Sequence, residues 1–327
     1  MKFIIIISGL LCFLSCKNDK TTQNIKKTSD TTSNEVKKDS LIFSEEKHFK
    51  SIKQITFGGD NAEAYWSFDD KQLVFQSNNN SWNVECDQMF LMNADQTFKN
   101  NDPKMISTGL GRTTCSYFLP DNEHILYAST HEDNEKCPEV PLRKEGKYVW
   151  PIYDSFDIYV SDLNGKITNK LTDQVGYDAE ATVSPKGDKI VFTSTRNGDL
   201  DLYTMNIDGS DVKQITNELG YDGGAFFSPD GEKLIFRSSR PKTEQEIKEY
   251  KDLLAQDLVM PTHMELYVCN LDGSEPKKIT DLGSANWAPF FHPSGKRVIF
   301  SSNHVSKRSF NLFLRPKRLY TTRRIIW

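Results

Sequence analysis

The sentence LTDQVGYDAEATVSPKGDKIVFTSTRNGDLDLYTMNIDG begins at Leu171, and a second version, ITNELGYDGGAFFSPDGEKLIFRSSR, begins at Ile215. Pro185 and Pro229 are 44 residues apart, and each landmark between the copies shifts by the same amount. An internal repeat of that length restricts the chain to architectures in which one supersecondary unit is stacked many times. Within a copy the runs Lys189 to Thr193 and Leu200 to Met205 place Val, Ile, Phe and Tyr at period two, between Gly, Asp, Asn and Pro. That is the pattern of short strands and tight turns. Ser228-Pro229-Asp230-Gly231 suits a turn in which Pro presets φ and Gly takes positive φ, and Asp208-Gly209 suits a hairpin. Four strands every 40 to 45 residues describe a propeller blade, because a sheet of that size buries its faces only against neighbours.

Laid over the rest of the chain, the turn between the first and second strands recurs. Its copies are Ser67-Phe68-Asp69-Asp70, Leu119-Pro120-Asp121-Asn122, Ser184-Pro185-Lys186-Gly187, Ser228-Pro229-Asp230-Gly231 and His292-Pro293-Ser294-Gly295. The expected fold is therefore all-β, with five recognisable four-stranded blades. Spacings of 52, 65, 44 and 64 between the second positions leave excess chain. It falls mostly between the second and third strands, at 131–155 and 240–263, so both insertions leave from one face of the disc. A motif ending in Thr or Ser closes each unit: Met105-Ile106-Ser107, Lys170-Leu171-Thr172, Gln214-Ile215-Thr216 and Lys278-Ile279-Thr280. Gln54-Ile55-Thr56 precedes any blade and is expected to supply the outer strand of the last one, tying the ends together.

The SPDG turn, the hydrophobic-F-S-x-R strand, the DLYxMNxDGS hairpin and KQIT together resemble the TolB-type propeller repeat, also called the WD40-like Pro-Asp repeat. The resemblance covers roughly residues 49–314 and implies six blades. It also implies a binding role, since TolB is a periplasmic interaction protein of the cell envelope. The chain holds material for five blades, and its last thirteen residues, RPKRLYTTRRIIW, carry five basic residues and no acid. Where the repeat calls for Asp-Gly, Arg318 and Leu319 stand. The expected domains are thus 1–15 a signal peptide, 16–47 a lipidated flexible tether, 48–314 the propeller and 315–327 an aberrant basic tail. A shifted frame or truncation near Arg315 is one account of that tail, and a true basic tail is the other.

At the N-terminus, the apolar run from Phe3 to Leu14 is too short to span a bilayer and has the form of a secretory signal. FLSC resembles a bacterial lipobox, with Phe13 where Leu is usual, which would make Cys16 the lipid anchor. Residues 17–47 are too poor in apolar side chains to fold, and about 30 residues of flexible chain reach roughly 30 Å. The expected location is the cell envelope, anchored to the outer membrane and facing either periplasm or exterior. Removing the lysine of the signal and the five basic tail residues takes the net charge from −4 to −10, which argues against nucleic acid as a partner.

Candidate chemistry gathers on the face that carries the insertions. Alignment stacks Asn61, Thr113, Asp178, Asp222 and Asn286 at the start of the first strands, with Glu63, Cys115, Glu180, Gly224 and Ala288 two positions on. A further column after the second strands holds Asn79, His131, Arg196, Arg240 and His304. These groups are expected to ring the channel mouth. One insertion adds Tyr148, Trp150 and Tyr153 as a ligand wall. The other opens with a capping box of Thr243 and Glu246 and sets Ile247, Tyr250, Leu254 and Leu258 on one helical stripe. The ligand-binding candidates are Asp178, Glu180, Asp222, Glu63, His131, Arg196, Arg240, His304 and Trp150. The carboxylates suit turn caps and also Ca²⁺, which takes oxygen ligands from irregular loops. No other cofactor is indicated, and His131 and His304 lack the paired spacing of a zinc site. Cys86, Cys115 and Cys137 are disulfide candidates on the same face, whereas Cys269 suits a buried strand position.

Two functions fit. One is an envelope-anchored binding or scaffold protein that takes a peptide, a protein or a glycan at the channel mouth. The other is a hydrolase or lyase using His131, Arg196, Glu180 or His304 there. The chain has no GxSxG elbow, and a propeller is a scaffold whose function must be argued from its site.

Overall fold

In the computed structural model the described residues are 42, 49–97, 103–141, 143, 144, 146–306, 309–316, 323 and 324. The signal segment, Cys16, nearly all of the tether and most of the basic tail lie outside them. Five four-stranded antiparallel sheets form the blades of a β-propeller. Blade 1 comprises β1 (Asp60–Trp66), β2 (Gln72–Asn78), β3 (Gln88–Asn93) and β4 (Lys104–Met105). Blade 2 takes β5 (Thr113–Phe118) and β6 (His124–Ser129), then leaves for an insertion containing β7 (Arg143–Lys144), β8 (Lys147–Tyr148) and β9 (Trp150–Pro151). It resumes with β10 (Asp157–Asp162) and β11 (Ile167–Lys170). Blade 3 is β12 (Asp178–Val183), β13 (Lys189–Ser194), β14 (Asp201–Asn206) and β15 (Lys213–Gln214). Blade 4 takes β16 (Asp222–Phe227) and β17 (Lys233–Ser238), is interrupted by helix α1 (Glu244–Leu254) and β18 (Leu258–Val259), and ends with β19 (Glu265–Asn270) and β20 (Lys277–Lys278). Blade 5 is β21 (Asn286–Phe291), β22 (Arg297–Ser306), β23 (Ser309–Pro316) and β24 (Arg323–Arg324).

The repeated residues do repeated work. In the Ser-Pro-Asp-Gly turn the Ser228 hydroxyl donates to Asp230 Oδ1 at 2.5 Å and accepts from the backbone N–H of Lys233 at 2.9 Å, while Gly231 adopts φ +72°. The Thr or Ser that closes each unit is a two-way bridge. Thr216 Oγ1 accepts from Leu202 N and donates to Asp201 Oδ1, and Thr172 treats Ile158 and Asp157 the same way. Ser107 does so with Met89 and Gln88, and Thr280 with Leu266 and Glu265. Each hydroxyl ties the short outer strand to the start of the third, satisfying a buried acceptor that would otherwise cost stability. Between blades the apolar faces interlock. Leu126 and Ile158 of blade 2 pack with Ile190, Phe192 and Met205 of blade 3, and Phe226, Ile235 and Leu266 of blade 4 with Phe291, Phe300 and Phe313 of blade 5.

Two expectations need correction. The fourth strand of blade 5 is β24, paired through Phe313↔Arg324 and Leu314↔Arg323, and not Gln54-Ile55-Thr56. Ile55 instead packs on blade 1 beside Leu73, Phe75, Phe90 and Trp82. A strand that follows β23 in sequence closes a far shorter loop than one supplied from the opposite end of the chain. The insertion helix has its capping box, with Thr243 Oγ1 accepting from Glu246 N at 3.2 Å, but it ends at Leu254. Asp257 turns left-handed at φ +54°, and Leu258 enters β18 and leaves the helical stripe. The buried helical residues are Tyr250 and Leu253.

Candidate functional site

The two insertions meet over blade 3. Their two-residue strands β9 and β18 pair antiparallel, Leu258 opposite Pro151 and Val259 opposite Trp150, and Lys147 pairs with Glu249 of α1. Beneath this bridge Ile152, Tyr250 and Val259 pack on Tyr177, Ala179, Leu200 and Tyr221 of the disc. The roof thus packs directly on the propeller. It is also tied sideways by a disulfide between Cys86 of blade 1 and Cys137 of the first insertion, which leaves Cys115 free.

Under the roof the first strand of every blade breaks register at the same place. The shifts lie between Ala62 and Tyr65, Thr114 and Tyr117, Ala179 and Thr182, Gly223 and Phe226, and Trp287 and Phe290. At each bulge one residue is left-handed: Glu63 (φ +50°), Cys115 (+48°), Glu180 (+56°), Gly224 (+56°) and Ala288 (+46°). Bulges re-aim side chains, and four non-glycine residues held in this region are a concentration of backbone strain of the kind found at functional sites. All five line one cavity of about 50 Å³ with Tyr65, Ala181, Thr182, Phe226 and Arg237.

Arg237, on β17, is the centre of that cavity's chemistry. It is 8% exposed and forms an ion pair with Glu180. Tyr221 Oη donates to Glu180 Oε1 at 2.8 Å and accepts from Arg237 Nη2 at 2.6 Å. Thr193 Oγ1 and Gly224 N donate to the other Glu180 oxygen at 2.8 and 2.9 Å. The guanidinium lies 5.6, 5.3 and 5.8 Å from the ring centroids of Trp150, Tyr221 and Trp287, within cation–π range, and Trp150 meets Trp287 edge-on at 4.7 Å. Glycine is required alongside. A Cβ on Gly224 would stand 2.0 Å from Arg237 Nη1, and one on Gly223 would stand 2.3 Å from Glu180 Oε2. Glu180 holds the guanidinium charged, while burial pushes the Cys115 thiol and the Tyr221 and Tyr65 hydroxyls upward, so these remain protonated.

The sequence candidates therefore divide. Glu63, Glu180 and Cys115 converge on the cavity, and Trp150 covers Arg237. The others knit single blades. Arg196 Nη2 donates to both oxygens of Asp178 at 3.0 Å and stacks on Tyr203, and Arg240 grips Asp222 at 2.8 and 2.9 Å and stacks on Tyr267. His131 lies on Tyr159 and His304 on Phe313, each with ring centroids 4.5 Å apart, and each bonds the Ser two residues earlier. Burial depresses the His131 pKa and raises those of Asp178 and Asp222, the last to about 6 against the pull of Arg240. Among the described residues no three His, Cys, Asp or Glu side chains form a group suited to a metal ion. Arg237 itself escaped the sequence reading. Its signal is the substitution, within the repeat, of a charge for Thr193 at a position where Gln76, Ala128 and Ser301 stand in the other blades.

Residues 151–251 match the family model described as the TolB beta propeller domain. Over that stretch the chain is similar to the TolB-type repeat, and its described residues form a five-bladed β-propeller. No curated protein matches the sequence. Among solved structures, a protein of Agrobacterium tumefaciens described as TolB is 19% identical with a TM-score of 0.57, over 82% of this chain and 81% of that one. TolB from Acinetobacter baumannii is 17% identical with a TM-score of 0.54, over 79% of this chain and 52% of that one, so this chain spans about half its length. A puromycin-hydrolyzing peptidase of Mycobacterium tuberculosis is 10% identical with a TM-score of 0.51, over 81% of this chain and 38% of that one. At these identities the likeness is one of fold.

Proposed function

We infer that this TolB-type propeller is an envelope-anchored binding or scaffold protein that takes a peptide, protein or glycan at its roofed channel mouth. The observation that carries the reading is the β9–β18 bridge, which sets Trp150 against Trp287 and Arg237 above a cavity lined by five left-handed bulges. A concave site with an apolar wall and a few converging polar groups is the usual form of a recognition site. The anchor is Cys16, and the ligand side is the face bearing both insertions.

A photo-crosslinking residue at Tyr148, which is 41% exposed on the roof, tests the mouth against one at Asp208, exposed in a turn on the opposite face. Cell-envelope extract is expected to give a discrete adduct at 148 and none at 208. The same adduct from both positions would remove the mouth as the binding site. Cys16→Ala should move the protein from the membrane pellet to the soluble fraction, and an unchanged pellet would exclude this anchor.

A further inference from the structure

We propose that the channel cavity receives the free amino end of a peptide, whose ammonium group pairs with Glu63 and whose first carbonyl oxygen accepts from Arg237. The proposal rests on the reading of the mouth as a binding site and specifies the chemistry of its occupant.

Charge decides first. Glu63, Glu180 and Arg237 line the cavity, two carboxylates to one guanidinium. Glu180 is fully engaged, with Tyr221, Arg237, Thr193 and Gly224 all donating to it. Among the described residues Glu63 has a hydroxyl donor, Tyr65, and no cationic partner. The surplus is one negative charge, which disfavours a ligand carboxylate or phosphate. Among the described residues no group of three His, Cys, Asp or Glu suits a metal ion there. The remaining complement is an organic cation.

Arg237 narrows the choice. Its Nη2 is spent on Glu180 and Tyr221, but Nε is buried without a hydrogen-bond partner, and no described residue accepts from Nη1, which stands over Gly224. A guanidinium 8% exposed with unused N–H groups calls for an acceptor oxygen, and the charge balance requires that oxygen to be neutral. Glu63 and Arg237 line the same cavity, and the ion pair that Arg237 makes there is with Glu180. An ammonium and a carbonyl oxygen three bonds beyond it, about 3 Å apart by covalent geometry, are what the first residue of a peptide presents. Ala181, Phe226 and Ala288 provide an apolar wall for its side chain.

Calorimetric titration of the full-length protein separates the alternatives with three probes. Alaninamide carries both groups, N-acetylalaninamide lacks the ammonium, and Nα-acetyl-lysinamide carries its ammonium on a side chain far from the carbonyl. Alaninamide is expected to bind saturably and about tenfold or more tighter than either of the others, with Glu63→Gln reducing its affinity about tenfold. Absent alaninamide binding, equal binding of the acetylated probe, or indifference to Glu63→Gln would overturn the proposal. Tighter binding of the lysine probe would reassign the site to a side-chain ammonium and overturn the amino-end assignment. Should Glu63→Gln not fold, the comparison of probes on the unaltered protein decides alone. An adduct at Tyr148 without alaninamide binding sinks this proposal and leaves the mouth reading standing, whereas alaninamide binding without an adduct upholds the amino-end site and removes only the envelope partner.

Discussion

Gly224 shows how one missing side chain organises a site. Its four counterparts carry a side chain at the same bulge, but in blade 4 the guanidinium of Arg237 occupies that space, 2.0 Å from where a Cβ would be. Gly224→Ala is expected to cost about 2–4 kcal/mol, combining a left-handed alanine with overpacking in a buried network. Gly198→Ala, at φ +90° with nothing within 4 Å, should cost only about 1 kcal/mol, and urea unfolding of the pair tests the difference. The buried acids next door carry a pH signature. Asp222 is pushed up to about 6, above its ordinary value near 4, so the folded state holds its proton more tightly than the unfolded chain. Stability from this group is therefore fullest below about pH 4 and falls as pH rises to about 6, levelling off beyond. Asp222→Asn should flatten that slope in pH-dependent unfolding; an unaltered slope would place the titration elsewhere.

At the scale of elements, the closing hydroxyl of each blade does more than its small size suggests. Thr216→Val removes the acceptor for Leu202 N and the donor to Asp201 while preserving shape, and should lower stability by about 1–3 kcal/mol, since two buried groups lose a partner. A thermal shift below the error of the measurement would show that water replaces the hydroxyl. The roof obeys a different logic. Its two-residue strands β9 and β18 have no length to be stable alone, and they pair because Tyr250, Val259 and Ile152 already pack on the disc beneath them. The helix boundary moved for the same reason: Leu258 exchanges a place on the helical stripe for a ladder with Pro151.

Across the whole molecule, each blade is stabilised by its neighbours, and the two end blades have less of this support. Strands of blades 1 and 2, 2 and 3, 3 and 4, and 4 and 5 pack on one another, and no comparable strand packing joins blade 5 to blade 1 among the described residues. β1 is largely exposed while β12 is buried throughout, and Trp66, Phe68, Phe290 and Phe310 are exposed on blades 1 and 5. In a stack of repeats stability is close to a sum of nearest-neighbour terms. Amide hydrogen exchange should therefore be slowest in β12, β13 and β14 and faster in the ladders of blades 1 and 5. Uniform protection around the ring would instead show that the end blades are joined in solution.

The blade, its four strands, its turns and its insertion points were legible in the sequence because they rest on local periodicity and turn chemistry, repeated often enough to be aligned. Alignment also stacked Glu63, Cys115 and Glu180 in one column, since equivalent positions of a repeat occupy equivalent places around an axis. What alignment could not supply was direction and partner. The column after the second strands shares the same face of the disc, yet Arg196, Arg240, His131 and His304 fold back over aromatic rings of their own blades. The site's centre, Arg237, is set by Gly224, Tyr221 and two tryptophans brought from insertion and fifth blade across tens of residues. Those contacts depend on which side chains remain once neighbouring blades and the roof are packed, and that is decided only in the tertiary structure.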